Sequence, residues 1–299
     1  VDGFCSDGGF HIAISKSFVN GNGFPPYNPM YPTKLVYPFM SDFLAATFML
    51  AGLNEIHSLV LVSMLTVPAL VFIAYKFLLA LTKDFKVSNL AIALFFLSGI
   101  GFINLVTAAL GLSFGPVRKT FELNLRSIRD VALYPYFNFT ELLENIFTPQ
   151  RSYLFGFPIA MIVIFQFWRL LNGKVSKKEL IFTGILAGLL PFFHTHSFIV
   201  LVIVGSMLFL LSKNKPAWFL LAIPAGLIAM PQFAYIILNA NLNKRFFKLV
   251  LFSPWFKETT GIYFIDHFLF WLRVTGLVFI FSFVGLKFMP NKLRLFTMP

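Results

Sequence analysis

The chain has 299 residues, of which 58% are hydrophobic and only 12% charged. A soluble domain carries about 25% charged residues, so a single water-soluble domain is excluded. Lys and Arg outnumber Asp and Glu by 24 to 12, a net charge of +12. Many of these cations fall in short turns between apolar runs, so the excess reads as membrane topology. Nucleic acid is not an expected partner.

In chain order, residues 1–34 are rich in Gly, Asn and Pro, with breakers at Gly21-Asn22-Gly23, Pro25-Pro26 and Asn28-Pro29. They are expected to form a polar loop. The start at Val1 after no visible leader suggests a fragment lacking an earlier helix, and the one cysteine, Cys5, permits no internal disulfide. Leu35–Leu53 is apolar but carries Pro38 and Asp42. A mid-membrane charge is costly, so this segment is expected to lie in the interface rather than to span.

Ser58–Leu81 and Val87–Leu110 are expected spans, joined by Lys83-Asp84-Phe85-Lys86. Residues 111–153 form a long mixed-charge loop with short amphipathic helices. Leu154–Leu171 spans again. Leu180–Leu211 is too long for one crossing and is interrupted by Pro191-Phe192-Phe193-His194-Thr195-His196, which predicts a hairpin of two short helices with the histidines at its tip. Pro216–Leu238 and Phe264–Phe288 complete the set, with a loop over 239–263 between them.

The expected architecture is therefore all-α: a polytopic transmembrane bundle of about seven membrane helices, including the hairpin, with helical outer loops. One transmembrane domain covers 1–299, made of an outer loop with an interfacial helix (1–57), the membrane helices (58–288) and the long outer loop (111–153). The turns at Lys83/Lys86, Lys174/Lys177/Lys178, Lys213/Lys215 and Lys287/Lys292/Arg294 fall on one face without forcing the alternation. By the positive-inside rule that face is cytoplasmic. No internal repeat is visible.

Polar residues then gather at the other face: Asp7 and His11 in the first loop, Gln150 and Arg151 before a span, His194 and His196 at the hairpin tip, and Asp266-His267 at the last span. Asp7 beside Gly8-Gly9 suits a tight turn that exposes the carboxylate. His194 and His196 read either as interfacial side chains with wet tips or, with Asp7 or His11, as ligands of a candidate divalent metal. Arg151 reads either as a lipid-phosphate anchor or as a binder of a substrate phosphate.

This layout resembles the GT-C superfamily of membrane glycosyltransferases, which use polyprenyl-phosphate-linked sugars. Asp7, in Ser6-Asp7-Gly8-Gly9-Phe10-His11, stands where these enzymes carry an acidic residue in the first outer loop, as a lone Asp rather than an acidic pair. The Pro-rich stretch from Phe24 to Pro29 and the apolar segment after Tyr37-Pro38 match further features. The segments 148–158 (TPQRSYLFGFP) and 184–198 (GILAGLLPFFHTHSF) are similar to segments of uncharacterised prokaryotic membrane proteins placed near that superfamily.

The resemblance implies transfer of a sugar from a polyprenyl-phosphate donor at the outer face of a prokaryotic plasma membrane, to an acceptor it does not specify. It implies Asp7 as the base that takes the acceptor's proton. Arg151, with Gln150 and a cation from Lys244, Arg245 or Lys248, would hold the leaving phosphate. His11, His194 or His196 would orient Asp7, bind sugar hydroxyls or help hold a metal. The competing readings are a transporter or lipid flippase with its site at broken helices, and a non-enzymatic subunit whose outer loops bind a partner. A cavity holding both Asp7 and Arg151 and open sideways to lipid would favour the transferase.

Overall fold

The structure, a computed structural model, describes residues 8–96, 151–240, 264–265 and 277–288. Eight helices fall in this range: α1 (Gly8–Val19), α2 (Met40–Leu50), α3 (Glu55–Thr82), α4 (Phe85–Phe96), α5 (Tyr153–Leu171), α6 (Lys177–Leu211), α7 (Lys215–Asn239) and α8 (Leu277–Phe288). Among the described residues there is no strand, only an isolated bridge between Tyr27 and Lys34. α3, α5, α6 and α7 are long and apolar enough to cross a membrane, so the chain is an integral membrane protein. The expected spans at Val87–Leu110 and Phe264–Phe288 are described only in part.

The chain divides into two compact units. One comprises residues 1–88, 145–246 and 292–299; the other comprises 89–144 and 247–291. Nearly all the described side chains belong to the first.

The polar loop expected over 1–34 is corrected by α1. Phe10, Ile14 and Phe18 recur at helical spacing, and Ile14 is fully buried with Phe10 and Phe18 packed around it. The Gly and Ser content hid this stripe. Residues 20–39 remain irregular, as their breakers require. α2 starts two residues after Pro38 and has 11 residues, roughly 16 Å at 1.5 Å per residue. That is too short to span, in keeping with the interfacial expectation for Leu35–Leu53.

α3 is capped by Asn54, whose side chain accepts from the His57 N–H. It stops where Lys83 turns left-handed at φ 57°. α3 and α5 run parallel: Arg151, just before α5, bonds the Leu59 carbonyl, and Phe165 meets Phe77 at 5.5 Å between centroids.

α6 is divided at His194, whose φ of −163° and ψ of 91° are not helical. The packing shows that the division reverses the chain. On the first arm a Cβ at Gly184 would meet the Leu221 carbonyl and Pro224, and one at Gly188 would meet Ala225 and Ile228. Phe192 bonds Gln232. Both arm and α7 ascend together. Beyond His194 the order inverts, with Phe198 against Phe233 and Phe209 against Phe219. The hairpin expected over Leu180–Leu211 is present, with its tip at His194. Each arm is about 17 residues, or roughly 25 Å, just under the ~30 Å hydrocarbon thickness.

Gln232 makes this reversal tolerable. An unbroken helix would pair the Phe192 N–H with the Gly188 carbonyl. Instead Gln232 stands between them: its Oε1 accepts from Phe192 N at 3.0 Å and its Nε2 donates to the Gly188 carbonyl at 2.7 Å. The freed Phe192 carbonyl accepts from the Phe39 N–H at 3.2 Å. These three backbone groups opened near Pro191 thus have partners, as an apolar setting demands.

The turns at Lys83, Lys174 and Lys213 therefore share one end of the first unit. Arg151, His194, α1 and α2 share the other. With Cys5 replaced by Ser, cysteines placed at His196 and Lys177 should label from opposite sides of the membrane; labelling from one side would overturn the hairpin. Gln232→Leu removes the bonds to Phe192 and Gly188 and strands two buried backbone groups, at about 1–3 kcal/mol each. Its melting temperature in detergent should drop clearly, and an unchanged value would show that the amide is not what holds the tip.

Candidate functional site

The polar end is built around Asp42, on the first turn of α2. Its carboxylate is fully buried, and both oxygens lie within reach of His11 Nδ1, at 3.0 and 2.9 Å. Arg151 Nε lies 3.7 Å from Oδ1, and Arg151 Nη2 donates to the Leu59 carbonyl at 2.7 Å. His11 is 0% exposed and Arg151 4%. One cluster thus ties α1, α2, the head of α3 and the lead-in to α5 together. At the rim Lys16 and Glu55 form an exposed ion pair at 2.6 Å.

Burial pushes the Asp42 carboxyl up from its ordinary value, while the His11 hydrogen bond and the Arg151 charge pull it back. Burial also pushes Arg151 down, opposed by Asp42; a guanidinium nevertheless stays protonated in proteins. The Arg–Asp pair is net neutral, and His11 completes it by donating from Nδ1. The His11 ring has aromatic neighbours, Phe10 at 5.9 Å and Tyr37 at 5.8 Å between ring centroids. His11 Nε2, Arg151 Nε, Ser41 Oγ and Ser58 Oγ are all buried without hydrogen-bond partners.

The hairpin tip lies at the same end. His194 is 5% exposed, shares a 2.7 Å hydrogen bond with Ser197 Oγ and lies with its ring tilted 4.3 Å from that of Tyr153. A Cβ on Gly156 would collide with the His194 side chain, so only glycine lets α5 approach the tip this closely. His196 is exposed, its ring 5.6 Å from that of His194. Tyr235 donates to the Leu35 carbonyl at 3.0 Å, linking α7 to the loop before α2.

The structure brings His11, Arg151, His194 and His196 to one end of the unit, but not as sequence reasoning assigned them. His11 is committed to Asp42 and sealed from solvent. Arg151 is committed to Asp42 and Leu59 and is itself buried. His194 packs; only His196 is presented outward. Among the described residues no three His, Cys, Asp or Glu side chains converge as a metal site would require. Asp7, Gln150, Lys244, Arg245, Lys248, Asp266 and His267 lie outside the described residues.

Asp42 itself was legible only as an obstacle to spanning. The rule that ionisable residues in apolar segments carry a named partner is the signal that would have singled it out. Comparison with protein-family models, characterised proteins and solved structures finds no match for this chain.

Asp42→Asn leaves a buried guanidinium uncompensated and should destabilise by about 3–5 kcal/mol. Arg151→Met should do similar harm alone, whereas Asp42→Leu combined with Arg151→Met should cost much less than the sum of the single changes. Thermal unfolding in detergent reads this cycle. Additive losses would show that the two residues do not act as a pair.

Proposed function

We propose that this chain is a membrane glycosyltransferase that takes its sugar from a polyprenyl phosphate at the outer face of a prokaryotic cell membrane, with Asp7 as the base. The observation that carries the reading is the construction of the polar end. Asp7 directly precedes α1 in sequence, and α1 is locked to α2, α3 and α5 by the buried His11–Asp42–Arg151 cluster. A base contributes only if it is positioned within hydrogen-bond reach of the hydroxyl it serves, and this cluster is a device for holding such a segment in place.

His11 and Arg151 become positioning residues in this reading. The phosphate is left to Lys244 and Arg245, which follow α7 in the sequence. His196, exposed at the tip, is the histidine available to a sugar hydroxyl. A divalent metal is not needed for these roles.

The same burial also favours a second reading, a non-catalytic membrane subunit whose first loop is simply braced by an internal ion cluster. One described cavity, of about 360 Å³, is apolar, and Arg151 is not among the described residues that line it.

A panel of polyprenyl-phosphate sugars, offered to the full-length protein in nanodiscs, separates the two. Asp7→Asn should lower turnover by about 10² to 10⁴ with donor binding nearly unchanged, and Lys244→Ala with Arg245→Ala should weaken donor binding. Absence of transfer from every donor would leave the subunit reading standing, and wild-type turnover by Asp7→Asn would remove Asp7 as the base.

A further inference from the structure

The described apolar cavity lies between the second arm of α6, α7 and α5. Its walls include Phe198, Val202, Phe209, Trp218, Phe219 and Gly226. Val202 and Phe219 are about half exposed, at 50% and 53%, so the groove opens sideways at a surface that faces acyl chains in a bilayer.

Three features at its lower end do not suit a purely hydrocarbon occupant. Trp218 is 5% exposed, yet its Nε1–H has no acceptor. The Lys215 ammonium stands 5.2 Å from the centroid of the Phe209 ring, one of the groove's walls. α7 begins at Lys215, so its free backbone N–H groups and dipole favour an anion at the same place. Lys213, exposed in the same turn, adds a second cation.

We propose that this groove binds one anionic phospholipid of the surrounding bilayer. Its phosphate lies at the N-terminus of α7 beside Lys215 and Lys213. An ester carbonyl accepts from Trp218 Nε1. One acyl chain fills the space between the second arm and α7. The first arm meets α7 with its backbone drawn close at Gly184 and Gly188, leaving no such room, so the lipid completes the packing of the second arm only. This site lies at the end opposite Asp42 and rests on the membrane architecture, not on the proposed transferase activity.

Native mass spectrometry of the full chain in detergent, titrated with phosphatidylglycerol or phosphatidylcholine of identical chains, tests it. One phosphatidylglycerol should stay bound under conditions that strip phosphatidylcholine. Lys215→Gln should reduce phosphatidylglycerol retention about fivefold and leave phosphatidylcholine unaffected. Trp218→Phe, which keeps the ring and removes the donor, should weaken both several-fold.

Gly226→Leu is the fold-preserving control, because a Cβ there meets nothing within 4 Å. It should fill the groove and abolish retention of both lipids at an unchanged melting temperature. Equal retention of the two lipids, wild-type retention by Gly226→Leu, or preference for a polyprenyl phosphate over phosphatidylglycerol would each overturn the assignment.

Discussion

The break in α6 at His194 is the constraint on which the polar end depends. A helix cannot reverse inside an apolar medium without exposing backbone groups, and each exposed group must find a partner in the protein. Gln232 supplies two of these partners and Phe39 a third. Phe39 is itself fully buried, with its ring 5.2 Å from that of Phe192. Because α2 starts at the next residue, the docking of Phe39 on the tip also sets where Asp42 lies. Asp42 in turn receives His11 from α1 and Arg151 from the lead-in to α5. A backbone repair thus propagates into the placement of every charged group at that end.

The buried cluster is stable only as a whole. Its Asp42–Arg151 pair is net neutral, and each member depends on the others to offset desolvation. Such an arrangement adds little net stability compared with an apolar core of similar shape. What it does is penalise misplacement, since any helix that shifts leaves a charge unpaired. For two short helices that do not span, that penalty fixes position more sharply than apolar contact alone.

Packing along α7 is asymmetric for a related reason. Between membrane helices little hydrophobic drive remains, so close backbone approach and small residues carry the contact. Gly184 and Gly188 allow this for the first arm of α6. The second arm carries Phe198, Phe209 and neighbouring branched residues instead, and these hold it off α7 and leave the groove. One helix therefore makes a tight contact on one arm and a loose one on the other.

Much of the first unit was legible in the sequence. Composition and run length determined the membrane class and the bounds of α3, α5 and α7, because a span is a local property of about 20 consecutive residues. Pro191 and the excess length of Leu180–Leu211 determined the hairpin, and the basic turns determined which helix ends lie together. α1 was missed because Gly8, Gly9 and the serines outweighed the spacing of Phe10, Ile14 and Phe18. Only the tertiary structure decided that His11 and Arg151 are sealed around Asp42, and that Gln232 repairs the hairpin. These partners lie 31 and 40 residues or more apart in the chain. Whether a polar side chain faces solvent or a buried counter-charge is settled by the helices that close over it, and no local pattern records that.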